Sequence, residues 1–468
     1  MMRSILVAFL MLGGSVASAI SIDWSGGYRI EFFDIDNPTL DRDNKQPKTY
    51  GLQYLYLNPK IVASDGINII SRFDILGNTQ TGYRNSQMGS FIGGGFGSDS
   101  RVNSQNQDSA GTGITVSQLY LNVNHEYGSL IAGRAPFEFG MGMTHNAGLK
   151  PFDHWYDTRD SVAYKFVIDN VSIMPMLSRV AQKDFGRGVT ISDETIVFEY
   201  DNKDNGAKAG VVQQIRKSSL ESNDATTAIQ PLPNFAGATL NGAWSSKTVN
   251  LYLGRKWTSF EFQIEASFLT GETGLVVAGE SVKFNSYAVA AELLFPKAEG
   301  GKWEFGTKLG IASGDNPNTT GVYEGYQMDR NYDVAMLMFN HRMGQRDFLT
   351  TSILHTDPAL NVGNSADDEA IGNAMYVAPS VQYSWNDKVD VKTTLIYGQL
   401  VTKPTLALDS SKDLGTELDI ELIYKPRERI IWSNQVGVLF PGAAWKDGAS
   451  DLRNQVNYGF ATKAAITF

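Results

Sequence analysis

Phe260-Glu261-Phe262-Gln263-Ile264-Glu265-Ala266-Ser267-Phe268 alternates without a break. One face reads Phe, Phe, Ile, Ala, Phe, and the other reads Glu, Gln, Glu, Ser. Successive side chains of an extended chain point to opposite sides, so this stretch is a β-strand with one greasy and one wet face. One such strand could belong to a soluble sheet, but the pattern recurs along the whole chain. Leu119, Leu121 and Val123 oppose Gln118, Tyr120 and Asn122; Trp303, Phe305 and Leu309 oppose Lys302, Glu304 and Lys308; Leu418, Ile420 and Leu422 oppose Glu417, Asp419 and Glu421. The same alternation runs through 67–75 and 388–395, and helical periodicity is nearly absent after residue 20.

The connections alternate in length. Short ones carry turn residues at 64–66, 126–128, 169–170, 201–206, 385–387 and 426–428, and long polar ones lie between them at 35–47, 79–113, 138–159, 217–243, 314–370 and 441–452. Short turns on one side and long loops on the other describe a transmembrane antiparallel β-barrel. The expected strands are 22–34, 48–63, 67–78, 115–126, 128–138, 160–169, 171–180, 190–201, 206–216, 244–256, 258–270, 281–296, 301–313, 371–385, 388–402, 413–425, 428–440 and 453–468, which is eighteen. The segments 334–340 and 348–355 also look strand-like and are placed inside the loop 314–370; as wall strands they would make the count twenty. Losing 171–180 and 190–201, the weakest two, would make it sixteen.

The N-terminus assigns the compartment. Met1-Met2-Arg3 is basic, Ile5 to Leu12 is apolar, and Ala17-Ser18-Ala19 suits signal peptidase. Residues 1–19 are therefore expected to be a cleaved signal peptide and 20–468 a single barrel domain of a diderm outer membrane. The composition agrees: 46 Gly, 24 Phe, 20 Tyr, 8 Trp and no Cys, with a mean hydropathy of −0.21. A net charge of −10, or −11 once Arg3 is removed, argues against nucleic acid as a partner. The expected partners are outer-membrane lipid and lipopolysaccharide, small hydrophilic solutes, and the barrel-assembly machinery, which would read the terminal Phe468 with Ile466, Phe460 and Tyr458 behind it. Monomer and trimer both remain open.

Three stretches carry a family resemblance: Gly133-Arg134-Ala135-Pro136-Phe137-Glu138-Phe139-Gly140, Ala312-Ser313-Gly314-Asp315-Asn316-Pro317, and Leu414-Gly415-Thr416-Glu417-Leu418-Asp419 with Tyr424-Lys425-Pro426 and Phe440-Pro441-Gly442 after it. In these the chain resembles the alginate-export group of outer-membrane barrels and related porins. The resemblance implies an eighteen-stranded monomeric pore. It carries over no substrate, because the export tunnel is rich in arginine while the polar faces here mix both signs.

Charges facing lipid at the bilayer midplane cost ~2–4 kcal/mol for Arg or Lys, so strand charges are expected to point inward. On that argument the channel is lined by Arg72, Asp74, Arg134, Glu138, Lys165, Glu199, Glu261, Glu265, Lys308, Asp390, Lys392, Glu417, Asp419 and Glu421. They would either stiffen the wall as cross-strand ion pairs or set a transverse field at a constriction. The constriction is expected from loop 138–159 folding inward, with Lys150, Asp153, Trp155, Tyr156 and Arg159 as its candidates.

No enzyme is expected. There is no Cys, no G-x-S-x-G and no phosphate-binding loop; His145 and His154, near Asp153, Asp157 and Asp160, are the only hint of a hydrolase. No metal or cofactor is expected either, loop calcium at Asp315 or at Asp367-Asp368-Glu369 being the minor alternative. A TonB-dependent receptor would need a plug domain and about 22 strands. The expected function is passive diffusion through a water-filled lumen; polysaccharide export and a structural envelope barrel are the alternatives.

Overall fold

The computed structural model of the chain describes residues 21–43, 45–75, 86–87, 114–184, 187–218, 238–240, 244–277, 279–316, 318–319, 321–341, 343–344, 370–403, 411–445 and 455–468. The proposed signal peptide and the segment 348–355 lie outside them. Eighteen long strands form the wall. They are β1 (Ser21–Ile35), β2 (Lys48–Ser64), β3 (Ile67–Ile75), β4 (Ile114–His125), β5 (Gly128–Pro136), β6 (Thr158–Ile168), β7 (Val171–Asp184), β8 (Arg187–Asn202) and β9 (Ala207–Ser218). The second half is β10 (Ser245–Lys256), β11 (Glu261–Val277), β12 (Glu280–Phe295), β13 (Trp303–Ala312), β14 (Ala374–Asn386), β15 (Val389–Leu400), β16 (Asp413–Arg427), β17 (Ile430–Pro441) and β18 (Asn457–Thr467). Three fragments, Ser86–Gln87, Ala238–Leu240 and Val322–Tyr323, add short pairings above the wall.

Each wall strand pairs antiparallel with its neighbour in sequence, and β18 returns to β1 with Gly27 opposite Thr467. Gly26 N donates to Phe468 O and Phe468 N to Gly26 O, both at 2.9 Å, so the last residue of the chain completes the ring. Closure is what makes the strands tolerable in hydrocarbon, where an unpaired amide finds no water. Among the described residues no helix is long and apolar enough to cross a membrane.

The two weakest expected strands are real and longer than the sequence suggests. Alternation fades where a strand rises above the lipid, because neither face then needs to be apolar, yet the hydrogen-bond ladder continues to Asp184↔Arg187 and to Val277↔Glu280.

The outward face is apolar and ends in an aromatic belt. Trp24, Trp257, Trp303, Trp385 and Trp432 are all exposed, and all lie close to the end that carries the short turns. The other three tryptophans, Trp155, Trp244 and Trp445, are buried. Indole rings collect at a lipid–water boundary, so the belt places the short turns at the periplasmic face and the long loops outside the cell.

Candidate functional site

The largest buried apolar cluster lies inside the ring. Residues 334–340, strand-like in sequence, form a turn-rich segment that enters the lumen from the long loop between β13 and β14. Met336, Leu337, Met338 and Phe339 are buried against inward-facing Ile396, Leu400, Leu414, Leu439 and Ala461 of the wall. The wall makes room with inward glycines. A Cβ on Gly398 would come within 2.6 Å of the Met338 sulfur, and one on Gly459 within 2.6 Å of Leu337 Cδ2.

A segment without a ladder must find other acceptors for its backbone N–H groups. Two wall carboxylates supply them. Leu337 N and Met338 N donate to the two oxygens of Glu417 at 2.7 and 2.8 Å, and Met336 N donates to Asp419 at 2.8 Å. Both carboxylates are buried by the contact.

A second loop, residues 137–157 between β5 and β6, enters from the opposite side and is held in the same way. Glu265 of β11 accepts from Met141 N (2.7 Å), Thr144 N (3.0 Å) and Thr144 Oγ1 (2.5 Å), and more weakly from Met143 N (3.4 Å). Gly140 turns the chain there with φ of 58°, and a Cβ on it would strike Glu265 Oε2. Farther along, Arg29 Nη1 donates to Asp153 O at 2.5 Å and to Pro151 O at 3.2 Å, and His154 Nε2 lies 2.6 Å from Glu31 Oε2.

The two loops lock together. Asn331 Oδ1 accepts from His154 N (3.1 Å) and Trp155 N (2.9 Å), and its Nδ2 donates to Trp155 O (2.8 Å). Asp329 N donates to Met143 O at 2.7 Å, and the Arg330 guanidinium stands 4.2 Å from the centre of the Trp155 ring. The junction perturbs its titratable groups. Burial pushes the Asp329 carboxyl up to about 8, against a bond from Asn331 N and with help from the charges of Asp157, Asp153 and Asp333. Burial pushes His154 down to about 4, against the attraction of Glu31, so it is neutral at pH 7.

Two cavities flank the second loop. One of about 830 Å³ lies toward the extracellular side and is lined by Tyr156, Arg159, Arg216, Trp244, Tyr323 and Tyr326 among others. On its wall Asp193 holds Arg159 Nη1 at 2.6 Å, Arg216 at 2.7 and 2.8 Å, and the Gln214 amide; His145 Nδ1 lies 2.9 Å from Asp157. The other, of about 510 Å³, opens toward the periplasm between Phe139, Gly140, Lys165, Glu199, Tyr252 and Lys208. Residues 139–144 separate them. Opposite these lies a patch of mixed charge: Lys308 Nζ is 3.1 Å from Glu292 and 5.1 Å from the Tyr332 ring centre, and Lys463 is the strongest positive influence on Asp333.

The expected lining residues therefore divide. Glu265, Glu417 and Asp419 face inward as loop anchors, covered rather than bathed. Arg72 and Asp74 face inward but are buried together against Tyr54, with Arg72 Nη2 2.8 Å from Tyr54 Oη. Lys165 and Glu199 form a 2.9 Å pair near the periplasmic mouth, where Lys256 also reaches Glu261 at 3.6 Å. Asp390 is tied to Ser384 and Lys425 at the same end. Lys392 lies opposite Glu421, whose other partner is Ser433 at 2.6 Å.

Arg134 is a correction. By strand parity it lies on the outward face with Leu130 and Val162, paired to Asp160 by two bonds of 2.6 and 2.8 Å, and this pair reaches only the rim of the outer cavity. It sits near the extracellular end of β5, close to where the lipid tails stop, and there an outward charge carries a small cost.

In the second loop Glu138 and Lys150 are exposed, Tyr156 is half-buried, and Asp153, Trp155 and Arg159 are buried in the contacts above. Asp315 accepts Glu324 N at 2.8 Å, while Asp367, Asp368 and Glu369 lie outside the described residues. Glu31 and Glu292 belong to the site although the sequence reading passed over them; the same inward parity would have found both. Asn331, Asp329 and Asp333 carry no strand parity and left no such signal.

Comparison with known proteins supplies the lineage. No curated sequence matches this chain. Among solved structures it is similar to OccK9 (OpdG) of Pseudomonas aeruginosa, with a TM-score of 0.53 at 10% identity. It is also similar to OccK2 (OpdF) of the same organism, solved in complex with glucuronate, and to a BenF-like porin from Pseudomonas fluorescens Pf-5, each with a TM-score of 0.51 at 9% identity. In all three, 96% of this chain aligns with 98% of the other. At such identity these likenesses establish a shared barrel fold. Residues 199–459, more than half of the chain, match the sequence family described as Alginate export. Its closed eighteen-stranded wall and this match make the protein a member of the alginate-export family of porin-type outer-membrane barrels.

Proposed function

We propose that this barrel is a passive channel for small hydrophilic solutes, which pass between the two inward loops through the charged part of the lumen. The observation that carries the reading is how the free space is divided. Two loops pinned to the wall leave cavities of about 830 and 510 Å³, the size range of sites that hold one small molecule rather than a polymer. Aromatic rings beside arginines in the outer cavity suit a sugar or sugar acid, which agrees with a glucuronate complex having been obtained for OccK2. In this reading no cofactor is used, and His145 and His154 serve structure: each is bound by a carboxylate, Asp157 or Glu31.

Export of a polysaccharide is the second reading, favoured by the family match. Liposome swelling separates the two. Monosaccharides and their acids should enter and oligosaccharides should not. Absence of conductance steps in planar bilayers, together with loss of a secreted polymer on gene deletion, would replace the first reading by the second.

The junction makes the channel sensitive to pH. The raised Asp329 carboxyl is protonated in the docked state well above its ordinary value near 3.8. Docking is therefore unpenalised below that value, weakens as pH rises through the window up to about 8, and changes no further beyond it. His154 acts oppositely, but only between its ordinary 6.5 and about 4. From pH 6.5 to 8 Asp329 acts without that opposition, so conductance and flicker should rise over that interval. Asp329→Asn should flatten the profile at its low-pH level; an unchanged profile would remove Asp329 from the account.

A further inference from the structure

The wall is not level at its outer rim. β6 begins at Thr158, and the chain before it turns into the lumen, with Phe137 N donating to Asp157 O at 3.0 Å. The ladder from β6 to β7 ends at Asp160↔Arg179. β7 runs on to Asp184 paired with β8, and its register slips at Val180. Among the described residues no backbone pairs with β7 above Arg179 on the β6 side. The rim therefore has a step, just above the Arg134–Asp160 pair and so close to where the lipid tails stop.

The outer cavity lies at this step. Thr158 and Arg159 line it from one edge, and Arg179 and Val180 from the other. Arg216 and Asn250 line it from the inner face of the wall, while Arg134 and Asp160, outward by parity, reach its rim. A cavity bounded by residues of both faces extends past the wall that separates them.

Directly below the step the lipid-facing surface is hollow. A concavity of about 500 Å³ is lined by Leu130, Val162, Tyr164, Pro175, Leu177 and Ile196 among others. Val162 and Leu177 stand two residues below Asp160 and Arg179, about 7 Å at about 3.3 Å per residue. The hollow has a local cause: Pro175 has no N–H to give, and the pairing of β6 with β7 lapses between Ala163↔Met176 and Phe166↔Ile173. Glu194 borders it from β8, where Lys217 holds its carboxylate at 3.3 Å.

A polar cavity at headgroup depth that runs into a hydrocarbon-lined hollow fits a molecule with one end of each kind. We propose that the outer cavity opens sideways through the step and takes an alkyl glycoside from the outer leaflet, its sugar among the rings and guanidinium groups of the cavity and its chain over Val162 and Leu177. This rests on the reading of the outer cavity as a solute site; the sideways route and the tail are what it adds.

Methyl and octyl β-glucoside share a head and differ in the tail. Each is titrated, below the micellar range, onto single channels in planar bilayers from the face that carries the long loops. Octyl glucoside should half-block the wild-type current at a concentration about tenfold below that of methyl glucoside, because only its chain finds apolar surface. Leu177→Trp combined with Val162→Trp fills the hollow from outside the lumen. In that variant the advantage of the octyl chain should vanish, while open-channel conductance and block by methyl glucoside stay as in the wild type. The bilayer takes up octyl glucoside equally in both cases. On the wild type, octyl glucoside carrying a diazirine at the chain end should label β6 and β7. Equal half-blocking concentrations, an advantage that survives in the variant, or label spread evenly around the wall would each overturn the sideways route and leave the solute site standing. Block by neither glucoside would remove the solute site, and the route with it.

Discussion

Replacing Glu417 and Asp419 together by alanine should open the pore. The two carboxylates accept three backbone N–H groups from residues 336–338, and no ladder competes for those donors. A hydrogen bond to a charged group is worth about 1.5–3 kcal/mol, and a buried donor left unmade costs about 1–3 kcal/mol. Apolar burial of Met336, Leu337, Met338 and Phe339 remains in the variant, at about 1.5–3 kcal/mol each. The segment therefore stays attracted to the wall but can no longer sit against it without orphaned amides. A net loss of about 4 kcal/mol shifts docked against undocked by nearly a thousandfold. Since about 18 strands leave an aqueous lumen when nothing fills it, mean single-channel conductance should rise several-fold, with long open periods. Glu417→Gln with Asp419→Asn keeps acceptor oxygens and should give a smaller change. If the alanine variant folds and conducts like wild type, these carboxylates are not what holds the segment.

The second large effect belongs to Glu265→Ala. One carboxylate there gathers Met141 N, Thr144 N and the Thr144 hydroxyl, and it closes the partition between the two cavities. Alanine removes all of these acceptors at once and leaves residues 139–144 to open locally, as low-stability segments do. Solutes excluded by size from the wild type, disaccharides for instance, should then enter liposomes. The expected signature differs from that of the Glu417 and Asp419 pair: larger permitted solutes with a modest change in ion conductance. Unchanged size exclusion would show that the partition stays closed without Glu265, with solutes still passing between the loops along Lys308, Glu292 and Tyr332. Because the anchors lie on different strands and hold different loops, the triple variant should combine both effects, except where the Asn331 and Trp155 contacts couple the loops.

How much of this was legible in the sequence depends on the range of the interaction. The alternation in 260–268 assigned the inward side of Glu265 because strand parity is local, and it did the same for Glu417 and Asp419. It could not say that these carboxylates would be covered by loops. That outcome joins residues 83, 80 and 124 positions apart, and nothing in the spacing of Met336 from Asp419, Leu337 from Glu417 or Met141 from Glu265 announces it. Arg134 misled for a different reason. The argument that strand charges point inward holds at the middle of the bilayer and loses force near the boundary, and one sequence does not mark where on each strand the lipid ends.

The chain by itself determined the wall: alternating strands, eighteen by the preferred count, running up and down with short turns on one side and long loops on the other. All of these follow from the two-residue repeat and from the intolerance of hydrocarbon for unpaired amides. Only the tertiary structure decided what occupies the lumen. There the donors of an irregular segment must meet acceptors from distant strands, and that match is a property of shape in three dimensions, to which periodicity along the chain is blind.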